Sequence, residues 1–410
     1  VNIHRWLTPG LLLAGAICCG VAVAQPAVVP VSSLSHAVEA AWRRATAAAE
    51  SRGRALEAEA ARAAASSWAP GSPALSLEHR NDRLHDARGA RETELGVSVP
   101  VWRFGQQAAR QAAAQAQETT ARATAATARL GVAGEVREAA WALVAEHAAL
   151  QSARQEQQTL QRLSDDSDRR VAAGDLSRAD AMAARAELLA AQGAVAQARQ
   201  AVAAAHTRWV ALTGLPDAVD PAEPALVSPG DTPPAEHPEL QRARADVERT
   251  RLHYEALRHS RRAPPEVTLS ARQDTAARGE PSQQSLGLAL RLPLGADAGS
   301  RESEAAALTQ REVAEVELQQ LRDRLAARVS EARTGLDTAQ QRLAAEQQRA
   351  ALLRERARLL DTSFQAGETA LPDLLRALAA ANQAEAAVAR QQAALGLARA
   401  RLHQALGLMP

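Results

Sequence analysis

Six residues after each of two glycines, the chain places an aspartate. Gly174 precedes Asp180 in "VAAGDLSRAD" (171–180), and Gly367 precedes Asp373 in "FQAGETALPD" (364–373). The two passages lie 193 residues apart and follow long runs compatible with helix. Ser177-Arg178-Ala179-Asp180 has the spacing of a capping box, so Asp180 suits a new helix N-terminus. Asp373 follows Pro372 in a first helical turn, where an acid is equally well placed. Arg178 and Arg376 are near enough to brace these corners by ion pairs. A second group, His79, Asp82, His85 and Asp86 in "EHRNDRLHDAR" (78–88), has ligand-like side chains. Its spacing matches no helical or hairpin metal site, which makes a solvated polar loop the expectation. No G-x-S-x-G, P-loop, G-x-G-x-x-G or H-E-x-x-H motif is present, so neither an enzyme nor a bound cofactor is expected.

The elements that hold these acids have an unusual composition. Among 410 residues, aromatics make up 2%, and all 48 basic residues are arginine. An apolar fraction of 46% built largely from alanine suits helices in close, long contact better than a thick core. The net charge of +1 argues against a nucleic-acid binder.

The N-terminus reads as an export signal over 1–24, with "LLLAGAICCGVAVA" following His4 and Arg5 and small residues ending at Ala24. Cys18 and Cys19 fall inside it. The alternative, lipidation at one of them, fits the preceding residues poorly. The apolar run is short for a membrane-spanning helix, and none longer follows.

The 193-residue offset recurs: Val99-Pro100-Val101 matches Leu292-Pro293-Leu294, and Leu212-Thr213-Gly214-Leu215 matches Ala405-Leu406-Gly407-Leu408. The chain is therefore expected to be duplicated. The first repeat spans 25–213, with a helix over 34–68, strands near 73–79 and 92–101, and helices 103–173 and 177–213. A Pro-rich segment over 214–238 is expected as a surface strap halfway along the bundle. The second repeat spans 239–410, with a helix over 236–262 running into it from the strap's end, strands near 265–272 and 284–294, and helices 299–366 and 370–408. In "ELGVSVPVW" and "SLGLALRLPL" apolar residues alternate with small or polar ones, over a length sufficient to cross a bilayer at a tilt. A soluble hairpin is the competing reading, but no second sheet or aromatic core is available to cover its apolar face. The polar segments 80–91 and 273–284 suit external loops.

Leu325, Val329, Ala332, Leu336, Ala339 and Leu343 recur at coiled-coil spacing, as do Val136, Leu143 and Leu150 at sevens. One long helix out is matched in length by two shorter ones back. Four strands cannot close a membrane barrel, and open edges in lipid are forbidden, so spanning strands require an oligomer sharing one barrel.

The duplicated strand pairs, their Pro-containing second strands ("VSVPVWRFG", "LALRLPLG"), the paired turns and the Gly-Leu endings together resemble the TolC-like outer-membrane efflux proteins. The resemblance covers nearly the whole mature chain. It implies a mainly α fold with a small β part: duplicated coiled-coil hairpins and four transmembrane strands per chain. It further implies a homotrimer in the outer membrane of a Gram-negative bacterium, with a twelve-stranded barrel and a helical tunnel through the periplasm. A periplasmic adaptor, an inner-membrane pump and outer-membrane lipid would be its partners, and it would act as a passive exit duct. Gly174, Asp180, Gly367 and Asp373 would then form the periplasmic tip, with the acids ringing a constriction. Trp102 is the expected membrane-interface anchor. "WAPGSPALSLEHRND" with "VSVPVWRFGQ" is most similar to the CzcC-like heavy-metal branch, which implies metal cations as cargo. A periplasmic coiled-coil scaffold with soluble hairpins is the alternative.

Overall fold

A computed structural model of the chain describes residues 33–84, 88–224, 234–295 and 298–410. The export segment with Cys18 and Cys19, the loop residues His85 and Asp86, and the strap residues 225–233 lie outside these. Two short helices open the described chain, α1 (Leu34–Arg44) and α2 (Thr46–Ala65). Strands β1 (Ala74–Asn81) and β2 (Arg91–Pro100) follow, then helix α3 (Gln106–Ala173) and its return α4 (Arg178–Thr213). The plan repeats with α5 (Pro238–His259), β3 (Glu266–Thr275), β4 (Gln283–Arg291), α6 (Ala298–Gln365) and α7 (Leu371–Ala405). The fold is mainly helical, with one four-stranded sheet per chain.

The two long helices each contain 68 residues, or about 100 Å of rise. α3 packs against α1, α2 and α5 toward the sheet and against α4 and α7 toward the opposite end. α6 packs against α5 and then α7. Because most buried side chains are alanine or leucine at heptad spacing, the core is a string of small clusters. Trp209, fully buried, anchors the largest with Val38 of α1 and Val136 and Leu143 of α3. The tightest approach joins α3 to α7. A Cβ on Gly396 would stand 2.0 Å from the Trp141 ring, so only glycine lets the indole lie on the α7 backbone.

Two expectations need correction. The single helix over 34–68 is broken at Ala45, whose backbone is extended (φ −67°, ψ 137°). The break lets α1 lie against both α3 and α4 while α2 follows α3 alone. The strap is also not wholly superficial: Val219 is buried in the Trp209 cluster, and the Trp209 indole N–H donates to the Asp217 carbonyl at 3.1 Å.

Candidate functional site

The sheet runs β1-β2-β3-β4, antiparallel throughout, with β1 and β4 as free edges. Its register sorts the side chains by face. Leu75, Val97, Leu269 and Leu288 stand in one row, Leu77, Leu95, Ala271 and Leu286 in the next, and Val99, Val267 and Leu290 on the other side. In these three rows every large residue is aliphatic, and those open to solvent range from Val97 at 42% exposed to Leu286 at 83%. The apolar band ends at the row His79, Thr93, Gln273 and Gln284, where His79 Nδ1 and Thr93 Oγ1 are 2.9 Å apart. The opposite face is small and polar: Ser76, Gly96, Ser270 and Gly287 in one row, Glu78, Glu94, Arg272 and Ser285 in the next. Arg272 Nε reaches Glu92 at 3.1 Å there. A Cβ on Gly96 or Gly287 would crowd the serine hydroxyl opposite, at 2.8 and 2.9 Å, so the serine would have to turn aside. An apolar exterior and a polar interior are what a membrane barrel demands of its strands.

At the helix junction below the sheet, Trp102 is half-buried. Its indole donates to the Ser67 carbonyl at 2.9 Å, and the Arg110 guanidinium lies 5.4 Å from its ring centroid. Two aromatics that sequence reasoning passed over are far more open: Trp68 at 72% and Phe104, fully exposed. Both flank the strands in the sequence, in "SSWAP" and "WRFG", just outside the alternating pattern.

At the far end, both corners are built alike. Gly174 (φ 86°) and Gly367 (φ 77°) cap α3 and α6 in the left-handed region. Asp175 N–H donates to Arg170 O at 2.9 Å, and Glu368 N–H donates to Ser363 O at 2.9 Å, which is the same Schellman closure twice. Ser177 is the N-cap of α4, and Asp180 stands in its first turn. The Ser177 hydroxyl accepts from the Asp180 N–H at 3.1 Å and donates to its carboxylate at 2.7 Å. Asp373 is exposed and pairs with Arg376 at 2.6 Å. Arg178 is exposed, with no ion pair among the described residues.

At this end Arg170 bridges the two hairpins. It pairs with Asp166 at 2.9 Å, sits 4.7 Å from the Phe364 ring centroid and donates to the Phe364 carbonyl at 3.4 Å. Around it Leu163, Ala184, Phe364, Leu371 and Leu374 form a small shared core. A search for residues that repeat misses this contact, because 193 positions on Arg170 becomes Ser363 and Val171 becomes Phe364. The departure from the repeat was itself the signal.

A buried polar knot ties the strap to both repeats. Arg137, 2% exposed, makes a bidentate pair with Glu223 at 2.6 and 2.9 Å. It also donates to Gln404 Oε1 at 2.6 Å and the Leu408 carbonyl at 2.9 Å. His403 Nδ1 lies 3.4 Å from Glu223. Burial pushes the Glu223 carboxyl up, but the bonds from His403 and Arg137 outweigh it and hold it below the ordinary carboxylate range. Nearby, buried His237 accepts from the Glu239 N–H at 3.2 Å and starts α5. Burial lowers its pKa, with Glu239 opposing. A Cβ on Gly407 (φ 73°) would stand 2.6 Å from the His237 ring, which accounts for one of the two Gly-Leu endings.

Among the described residues, no three His, Cys, Asp or Glu side chains gather as metal ligands, and no helix is long and apolar enough to cross a membrane.

Residues 234–408 match the family model described as Outer membrane efflux protein. No curated protein matches the chain. Among solved structures, the outer membrane protein VceC from Vibrio cholerae superimposes with a TM-score of 0.71 at 17% identity, over 91% of this chain and 96% of that one. A membrane protein from Pseudomonas aeruginosa gives 0.72 at 20% identity, over 92% and 90%. The open state of the Neisseria gonorrhoeae MtrE outer membrane channel gives 0.69 at 16%, over 92% and 89%. The chain therefore has the fold of these membrane proteins, and its second half carries the sequence pattern of the outer membrane efflux proteins.

Proposed function

We propose that the chain is the exit duct of an efflux or export system. Three copies close their sheets into one twelve-stranded barrel in the outer membrane of a Gram-negative bacterium, and the helices continue it into the periplasm. It works as a passive conduit: an adaptor and an inner-membrane pump supply cargo and energy, and no reaction takes place on the chain. One observation carries this reading above the others. The sheet has an exposed face with three aliphatic rows, a polar face behind it, and two unpaired edges. Burying each leucine of that face is worth about 1.5–3 kcal/mol. Lipid against the face and a neighbouring strand at each edge satisfy both demands at once. Trp68 and Phe104 join Trp102 as the candidates for the headgroup level.

At the other end, Gly174 and Gly367 turn the chain, and Asp180 and Asp373 bring six carboxylates around one axis in a trimer. Such a ring favours cations over anions. Metal cations as cargo is the finer form of the reading, and its support is the sequence likeness to the CzcC-like branch.

The duct should fractionate with the outer membrane as a heat-sensitive oligomer and conduct in planar bilayers. A chain extractable by salt and electrically silent would instead be a periplasmic scaffold. In the conducting protein, Asp180→Asn with Asp373→Asn should lower cation selectivity. Unchanged selectivity would leave Asp180 only its place in the first turn of α4 and remove the ring. Loss of resistance to metal salts on deletion, with drug tolerance intact, would establish the cargo.

A further inference from the structure

The lower halves of α4 and α6 expose apolar residues that nothing within the chain covers. Met182 and Leu189 on α4 and Leu352 and Leu359 on α6 are 60–73% exposed. Each pair is seven residues apart, so each forms a short stripe along one helix face. Their positions relative to the corners agree. Met182 and Leu359 are each eight residues from their corner glycine, and Leu189 and Leu352 are each fifteen. Measured within the helices, Met182 lies four residues from the start of α4 and Leu359 six from the end of α6, with Leu189 and Leu352 eleven and thirteen, so the stripes stand at similar heights of about 6–9 and 17–20 Å above the corners.

Charges fall into the same register. Arg185 lies between Met182 and Leu189, and Glu355 lies between Leu352 and Leu359. Both are exposed, and neither has an ion pair among the described residues. They stand eleven and twelve residues from Gly174 and Gly367. α4 leaves the tip and α6 approaches it, so the two would pair antiparallel. Each charged residue follows its stripe residue by three positions. In an antiparallel pair this puts Arg185 and Glu355 on the same flank of the seam, with Ala186 and Arg356 on the other.

Within one chain the stripes cannot meet. α5 and α7 stand between the long helices, since each packs against both α3 and α6. That leaves α4 at one margin of the lower bundle and α6 at the other. The sheet has the same order: α2 leads into edge strand β1, and α6 follows edge strand β4.

From this we infer that Met182, Arg185 and Leu189 of one copy seat against Leu359, Glu355 and Leu352 of the next, an antiparallel coiled-coil seam repeated around the ring. The contact is heterologous and closes on itself by rotation. The inference rests on the oligomeric reading above and names the surface that builds the lower wall.

Paired cysteines test it. In the oligomer isolated from membranes, Met182→Cys with Leu359→Cys should oxidise to subunit-linked dimers and trimers on non-reducing gels. The single variants, which carry any background from Cys18 and Cys19, should stay monomeric there. Met182→Cys with Leu352→Cys places the thiols about 14 Å apart along the axis, beyond disulfide reach, and should not link. Independently, Arg185→Glu should lower the temperature at which the oligomer dissociates, and adding Glu355→Arg should restore it. An intact oligomer that links only through the mismatched pair, or through neither, overturns the seam while leaving the duct in place. The stripes would then be open to another protein, such as an adaptor. A chain that forms no oligomer fails the duct reading itself.

Discussion

Arg137 shows how much can hang on one side chain in a protein with so thin a core. Its guanidinium joins α3, the strap and the C-terminal end of α7 through Glu223, Gln404 and the Leu408 carbonyl. Truncating Glu223 to alanine strands a buried cation, which should cost about 3–5 kcal/mol in chemical denaturation. The pH dependence follows from the same pair. The carboxyl is held below its ordinary value of 4.5 in the folded chain, so its stabilisation is complete above that pH and disappears as pH falls through the folded pKa. The denaturation midpoint should therefore drop on acidification below about pH 4.5, and Glu223→Gln should remove that component of the slope. Gly396 is a second single point of failure. Gly396→Ala drives a methyl into the Trp141 ring, 2.0 Å from its nearest atom, and should destabilise the α3–α7 contact by about 1–3 kcal/mol with a shift in tryptophan emission. Neither site was legible in the sequence. An arginine, a glutamate and a glycine inside polar or alanine-rich runs become informative only once residues about 90 and 250 positions away are placed beside them.

At the scale of elements the sequence was far more readable, because helix and strand periods are local. The two long helices, their returns, the four strands and the Gly-turned corners all follow from spacing within single segments. What the local pattern could not convey was a bend imposed by two partners at once, as at Ala45. It equally hid the burial of Val219 in a proline-rich strap. The corners carry a prediction of their own. Both glycines need the left-handed region, so Gly174→Val or Gly367→Val should cost about 1–2 kcal/mol. The helix starts beyond them differ. Ser177 caps α4 through its hydroxyl, whereas Ala370 before α7 offers no side-chain cap. Ser177→Ala should accordingly loosen the first corner by about 1 kcal/mol. Hydrogen exchange of the first α4 amides would register this, while the second corner, already uncapped by a side chain, stays unchanged.

For the whole molecule, what decides between a duct and a scaffold is which side of the sheet meets which medium. β4 permits a clean comparison, because Leu288 and Ala289 are adjacent in sequence and exposed in the single chain, yet stand on opposite faces. In water the two positions are nearly equivalent, and an arginine at either would change little. In a barrel they differ sharply. Arginine at 288 would face hydrocarbon, at a cost of about 2–4 kcal/mol near the bilayer midplane for each copy. Multiplied over three copies, that should deplete the protein from the outer-membrane fraction and abolish the heat-sensitive oligomer. Arginine at 289 would face the lumen, where its charge is solvated. Leu288→Arg should therefore fail to assemble. Ala289→Arg should insert and trimerise normally while lowering single-channel conductance and shifting selectivity toward anions. Equal behaviour of the two variants would mean that neither face meets lipid, and the apolar rows would then need a protein partner to cover them.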